Sequence, residues 1–294
     1  MEVRLPNGQK AEVPVRNPGC FNVFLSSPIY KWPGHPQFHA SVDATQKYLQ
    51  AMGHNVIVHY VCGDALIERA RSVLLGAYLA FPEGTFDCMI QMDSDISWHP
   101  TAMEAMIRHV CERGLEAVGG PYAFKCDPPH PRAGGTVCRP WHHTDDLAFT
   151  PELPQNIQAV RYLGGGSTLV SDALIRRLIK AFPELRMNCN PEDDGWSLRT
   201  WDGWQSILIP QPEWGTDEDG PFMELLSEDY AFCERIVTVH ERDGGPRVSC
   251  YVDLRVHHSH WVGEKAYDVE HMQEIVGRLK EEDSLLGGIE IVEK

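Results

Sequence analysis

Residues 88–98, Cys-Met-Ile-Gln-Met-Asp-Ser-Asp-Ile-Ser-Trp, constrain this chain more than any other stretch, because an apolar run of strand length ends in two carboxylates one residue apart. Short, continuously apolar runs bounded by polar residues read as buried strands. Residues i and i+2 of a strand share a face, so Asp93 and Asp95 leave the carboxyl edge of a sheet on the same side. Two like charges there repel unless a cation lies between them, and hard divalent ions take such oxygen ligands. The same residues also suit a solvated strand end, or a turn that uses Asp for local hydrogen bonds. The motif alone leaves both readings open.

The surrounding segments alternate. A strand from Phe21 to Ser26 is followed by Ser-Pro-Ile-Tyr and a Pro/Gly loop through Pro36, and a helix fits His39 to Met52, with Val42, Tyr48 and Leu49 on one face. Asn55 to Val61 is a second strand, and Asp64 is a candidate N-cap for a helix over Ala65 to Phe81. After the strand that carries the paired acids, Pro100 suits the first turn of a helix that ends before Gly114, and residues 115–120 form a short strand. Strands alternating with helices of this length predict an α/β domain with a mostly parallel sheet. In such sheets ligands gather outside the carboxyl ends of the strands.

Beyond residue 125 the pattern loosens. Cys126–Gln158 and Asn188–Met223 read as long loops, and segments of that length in a compact domain are usually functional. Trp196, Trp201, Trp204 and Trp214 make the second loop either an aromatic platform or a segment packed onto the core. Between the loops, Val160–Val170 reads as strand-turn-strand around Gly164-Gly165-Gly166, and Asp172–Phe182 as a helix. Residues 227–240 suit another helix, 248–258 a strand and 265–284 a terminal helix.

Composition bounds the rest. A chain of 294 residues with 43% hydrophobic residues can bury a sizeable core. The absence of a long apolar run and of an amino-terminal charged-then-apolar segment predicts no membrane insertion and no secretion by the usual route. Nine cysteines without a Cys-x-x-Cys suggest a reducing compartment, so the expected location is cytoplasmic, and a cysteine-based zinc site is disfavoured. Lysine plus arginine total 26 against 42 acids, a formal charge of −16, which opposes broad attraction to nucleic acid or anionic lipid.

Two further clusters carry chemistry. In Ser227-Glu228-Asp229-Tyr230 the serine can cap a helix with both acids in its first turn, where the helix dipole favours them. That is ordinary helix-start chemistry, or a general base facing a bound alcohol. In Asp253-Leu254-Arg255-Val256-His257-His258-Ser259-His260, strand alternation puts His258 and His260 on one face. These are polar strand-end residues, or one imidazole completes a mixed oxygen/nitrogen site with the paired acids.

Taken in order, these pieces resemble the GT-A glycosyltransferases, specifically family-2-like enzymes that use a nucleotide sugar. The resemblance spans roughly residues 20–262. It rests on Phe24-Leu25-Ser26-Ser27-Pro28, Leu66-Ile67-Glu68-Arg69-Ala70-Arg71-Ser72, Asp93-Ser94-Asp95, Gly119-Gly120-Pro121-Tyr122-Ala123-Phe124-Lys125, the glycine turn, Ser227-Glu228-Asp229-Tyr230 and the strand ending in His258. It implies a single Rossmann-like α/β domain over 1–294, a mixed, mostly parallel sheet flanked by helices. Residues of about 20–125 would form the nucleotide-sugar half, those of about 126–262 an acceptor and catalytic half with long loops, and 265–284 a terminal helix.

The resemblance also implies roles. Asp93 and Asp95 would match the Asp-x-Asp that binds Mn²⁺ or Mg²⁺ against the donor diphosphate, with His258, or alternatively His260, completing the site. Ser26 and Pro28 would line the base pocket, and Arg71 and Lys125 would neutralise phosphate or orient the sugar. Gly164, Gly165 and Gly166 would admit the donor sugar or the acceptor to the backbone. Asp229 would be the base of an inverting transfer, with Glu228 assisting or exchanging roles. Two departures stand out: His258-Ser259-His260 where relatives often have histidine and then glycine, and Arg71-Ser72 where they carry arginine and asparagine. The implied donor is a nucleoside-diphosphate sugar and the acceptor a glycan or other hydroxyl compound, modified DNA included. A sugar nucleotidyltransferase is the nearest rival, though Phe24–Tyr30 lacks its Gly-rich, basic phosphate loop. A non-catalytic sugar-binding protein on a degenerate transferase fold is the other.

Overall fold

The computed structural model describes residues 2–4, 10–123, 125, 138–140, 157–187, 204–205, 211–217, 220–245, 248–253, 256 and 258–267. A small hairpin, β1 (Glu2–Arg4) and β2 (Lys10–Glu12), precedes the alternating region. That region comprises β3 (Asn22–Ile29), α1 (Pro36–Ala51), β4 (Asn55–Cys62), α2 (Ile67–Leu79), β5 (Cys88–Met92), β6 (Ile96–Trp98), α3 (Pro100–Cys111) and β7 (Ala117–Gly119). Then follow β8 (Cys138–Pro140), β9 (Ile157–Leu163), β10 (Ser167–Ser171), α4 (Asp172–Ala181), β11 (Arg186–Met187), β12 (Trp204–Gln205), β13 (Gln211–Asp217), β14 (Gly220–Leu226), α5 (Glu228–Arg242), β15 (Cys250–Asp253), β16 (His258–Val262) and β17 (Lys265–Tyr267).

Eight strands form one mixed sheet in the order β4-β3-β5-β10-β7-β15-β9-β8. β10 and β9 run against the other six, and because each is inserted between two of those, only three of the seven pairings are parallel: β3 with β4, β3 with β5, and β7 with β15. Helices cover both faces. Val23, Leu25, Phe38, Val42, Met103 and Met106 fill the face under α1 and α3. Phe24, Leu74, Tyr78, Ile175, Phe232 and Ile236 fill the face under α2, α4 and α5. Alternation along β3 sends its neighbours to opposite cores, which is why the strand reads as continuously apolar.

The inserted strand β10 sets the site. It pairs antiparallel with β5 so that Ser167 lies opposite Met92, and the glycine turn at its start therefore meets the acids that follow the end of β5. Asp93 N–H closes the junction by donating to Gly166 O at 2.9 Å.

Several expectations shift. The stretch 248–258 is two strands in different sheets: β15 belongs to the main sheet, and β16 joins β17 and β6 in a three-stranded one. The segment read as a loop to Met223 contains the β13–β14 hairpin. Residues 265–267, assigned to a terminal helix, form β17; the remainder of that segment, 268–284, lies outside the described residues, as do Trp196, Trp201 and most of Cys126–Gln158. Asp64 does not cap α2 directly, but its Oδ1 accepts from Leu66 N–H just ahead of the helix at 3.0 Å. Among the described residues no helix is long and apolar enough to cross a membrane.

Candidate functional site

The two acids of the Asp-x-Asp stretch have different surroundings. Asp93 Oδ1 accepts from Arg71 Nη2 at 2.9 Å, and Arg71 Nη1 donates to Glu228 Oε1 at 2.7 Å. Arg71, one turn into α2, has only 3% of its side chain exposed. Asp95 instead meets Lys125 Nζ at 2.5 Å on Oδ2 and His260 Nε2 at 3.3 Å on Oδ1, and Lys125 is 35% exposed. Burial favours the neutral form of Asp95, yet the hydrogen bonds from His260 and Lys125 outweigh it and lower the pKa to about 2.

β16 brings His260 there. It pairs with β6 in the register His258 to Trp98 and His260 to Ile96, and Trp261 N–H donates to Asp95 O at 2.8 Å. His260 Nδ1 lies 3.2 Å from Ala123 O, and Nε2 is the nitrogen aimed at Asp95. His258 is placed otherwise. It is completely buried against Trp98 and above Gly120, where an added Cβ would come within 2.0 Å of its Nε2. The histidine that faces the paired acids is therefore His260, the alternative named from sequence, because His258 sits two residues deeper in the small sheet.

At the start of α5, Asp229 Oδ2 accepts from Gly165 N–H at 3.1 Å, and its Oδ1 accepts from Tyr230 N–H at 2.9 Å and from the Ser227 hydroxyl. Ser227 thus serves Asp229 and makes no side-chain cap to the helix backbone. Glu228 faces Arg71. Burial pushes its carboxyl above the ordinary range, Asp229 and Asp93 add to the shift, and the Arg71 guanidinium opposes it.

The glycine turn differs from its expected use. A Cβ on Gly165 would lie 2.1 Å from Arg71 Nη1, and one on Gly166 2.6 Å from the Tyr122 hydroxyl. The space those glycines leave is filled by protein side chains, while Gly164 is buried beside them. Ser26 is likewise internal: it is fully buried, and its hydroxyl donates to Ile90 O at 2.8 Å.

Pro28, closer to the sheet edge, does reach the cleft. With Tyr30, Asp64, Ala65, Ile67 and Asp93–Asp95 it lines a space of about 500 Å³ open to solvent. Tyr30, 58% exposed, offers a ring face at the mouth. Asp64 is held by a bidentate contact from Arg69 Nε and Nη2 at 2.7 and 2.8 Å. Neither residue is assigned to the site from sequence, where Asp64 reads as a helix cap. The available signal was their position, each just past the carboxyl end of a strand, β3 and β4.

Charge at this edge is unbalanced. Asp93, Asp95, Glu228 and Asp229 face two permanently charged side chains, Arg71 and Lys125. An anionic diphosphate would worsen that balance, and a divalent cation would correct it. Among the described residues no group of three or more His, Cys, Asp or Glu side chains is arranged to hold a metal. Asp95 and His260 Nε2 nevertheless form a mixed oxygen/nitrogen pair that fits Mn²⁺ or Mg²⁺ when the other ligands are phosphate oxygens and water.

No protein-family model and no curated protein matches the chain. Among solved structures it is similar to a protein from STIV, at 13% identity and a TM-score of 0.44 over 85% of this chain and 91% of that one. It is also similar to a glycosyltransferase involved in glycosylation of the major capsid of PBCV-1, at 12% identity and a TM-score of 0.30 over 60% and 68%. A third similarity is to 4-diphosphocytidyl-2C-methyl-D-erythritol synthase from Anaerococcus prevotii, at 10% identity and a TM-score of 0.31 over 62% and 82%. All three scores fall below 0.5, so the functional reading rests on the chain's own geometry.

Proposed function

We propose that this chain is a metal-dependent glycosyltransferase that moves a sugar from a nucleoside-diphosphate sugar to an acceptor hydroxyl with inversion. The observation that carries the reading is the span of Arg71 from Asp93 to Glu228, which sets the paired acids beside the first turn of α5 and its Asp229. Asp93 and Glu228, 22 and 157 residues from Arg71 in sequence, are thereby held by one guanidinium.

In this reading the nucleotide occupies the cleft walled by Pro28, Tyr30 and Ile67, with the Tyr30 ring available to a base face. Asp95 and His260 would hold Mn²⁺ or Mg²⁺, and the ion, when bound, stabilises negative charge on the departing diphosphate. Lys125, half-exposed and on a flexible stem, exchanges Asp95 for a phosphate oxygen and adds charge stabilisation. Asp229, oriented by Gly165 N–H, Tyr230 N–H and the Ser227 hydroxyl, accepts the acceptor's proton as its oxygen attacks the anomeric carbon from the face opposite the diphosphate. Asp229 Oδ2, which accepts only from Gly165 N–H, retains acceptor capacity for that proton.

The test is a panel of nucleotide sugars with Mn²⁺, followed by nucleoside diphosphate release with and without candidate glycan and modified-DNA acceptors. Release that chelation abolishes supports the proposal. Pyrophosphate release from a nucleoside triphosphate and a sugar phosphate would replace it with nucleotidyl transfer. Absence of turnover with every donor, while the donor still binds, would make the chain a sugar-nucleotide binder.

A further inference from the structure

Arg71 combines features that a ligand for phosphate does not need. Its side chain is almost wholly buried, and its two terminal nitrogens are spent on carboxylates from different parts of the chain. It does not line the cleft that holds Pro28, Tyr30 and the paired acids. It borders instead a small, mainly apolar pocket lined by Leu75, Met89, Phe232, Gly165 and Asp229. Burial disfavours the charge, but Asp93 and Glu228 more than compensate and keep the guanidinium protonated. Low-dielectric surroundings strengthen such a contact and make its loss costly.

We infer that Arg71 is a positioning residue: its planar fork fixes Asp93 and Glu228 relative to each other, Gly165 exists to make room for it, and Glu228 is the fork's structural anion, which leaves proton transfer to Asp229 alone. The geometry requires arginine. A lysine at this depth offers one ammonium in place of two nitrogens set apart in a plane, so it cannot reproduce both contacts in the same geometry. It also requires glycine at 165, since a methyl there would stand 2.1 Å from Nη1 and 2.7 Å from Cζ and would push the guanidinium off both partners. Gly165 N–H in turn donates to Asp229 Oδ2, so movement of the fork carries to the base through one residue.

The inference rests on the proposed transfer for its kinetic assay, and a stability assay stands apart from it. In steady-state kinetics, Arg71→Lys, Gly165→Ala and the pair combined are expected to lower kcat by about 10²-fold each, with the double variant no worse than either single one, as a 1 Å misplacement near the chemistry predicts. Donor KM stays within about threefold, because uniform binding is untouched. Glu228→Gln costs only about tenfold, far short of the loss of a general base. In Arg71→Ala, free guanidinium ion at low, non-denaturing concentration restores rate, and adding Gly165→Ala blocks that rescue.

A raised donor KM with kcat intact in Arg71→Lys would make Arg71 a phosphate ligand and overturn the inference. So would additive losses in the double variant. A loss in Glu228→Gln equal to that in Asp229→Asn would return Glu228 to proton transfer. Should the wild-type chain turn over no donor, the functional proposal fails by itself, and the clamp is still judged by urea unfolding of the same four proteins: non-additive stability losses between positions 71 and 165 support it, and additive ones refute it.

Discussion

Asp93 and Asp95 are the same residue two positions apart, and the protein treats them oppositely. Asp93 is gripped by a buried guanidinium whose other nitrogen holds the start of α5. Asp95 looks outward to Lys125 and to His260 on a separate small sheet. The first environment is a nearly buried guanidinium shared between Asp93 and Glu228. The second contains a half-exposed lysine that can leave. A strand-end pair of carboxylates can thus divide its work, one acid ordering the cleft floor and the other exchanging protein cations for ligand cations.

The sharpest way to break that division lies outside both acids. Asp229→Asn should lower transfer by about 10³-fold, in the range for loss of a general base, while nucleotide binding persists; wild-type rates in a transfer assay would remove Asp229 from the chemistry and leave the clamp with nothing to position. Next comes the direct contrast. Asp95→Asn should cost about 10²-fold in turnover by weakening charge stabilisation of the leaving group, with little change in folding. Asp93→Asn should cost on the order of 2 kcal/mol in urea unfolding, because it weakens a buried charge-assisted hydrogen bond. Equal profiles for the two variants would erase the distinction.

The histidines sharpen the same comparison. His260→Ala should reduce Mn²⁺ affinity by about 10- to 100-fold, as loss of a nitrogen ligand or its orientation does. His258→Ala should instead destabilise the fold by about 2–3 kcal/mol through the cavity it leaves, with metal affinity retained in a calorimetric titration. The smallest effect concerns acid. Asp95 in the folded protein titrates near pH 2, below an unfolded aspartate at about 3.9. Its contacts therefore add stability above about pH 4 and lose it as pH falls toward 2. Lys125→Met should flatten part of the acid limb of an unfolding-midpoint profile over that window and lower the profile above it by a constant amount, since the stability it removes is the part present above about pH 4.

Much of the scaffold was legible because it obeys local rules. β3, β4, α2, β5, α3 and α4 fall close to their expected ranges, since apolar periodicity, Pro100 at a helix start and glycine stops are signals within a few residues of each other. The sheet's inserted antiparallel strands were not legible, because Ser167–Ser171 carries the same apolar pattern in either direction. The hairpin of β13 and β14 escaped notice because Gly, Pro and acidic residues interrupt its alternation.

At the site, sequence identified residue types better than orientations. Asp93 and Glu228 meet at Arg71, Asp229 meets Gly165 and Asp95 meets Lys125, which puts these residues near one another without assigning their roles. Whether Arg71 faces a ligand or two carboxylates depends on how deeply α2 sits on the sheet, and no local pattern encodes that depth. The choice between His258 and His260 depends on the register of β16 against β6, which a one-face alternation leaves undetermined by one step of two residues. Gly165 and Gly166, expected to admit substrate, leave space that Arg71 and Tyr122 occupy.

The most direct test of the account is calorimetric titration of a nucleoside diphosphate into the wild-type chain and Asp95→Asn, each with and without Mn²⁺. Binding to the wild-type protein that appears only with Mn²⁺ and vanishes in Asp95→Asn is the expected result. Equal binding to both proteins, with or without the ion, would contradict a metal-assisted nucleotide site at this edge of the sheet.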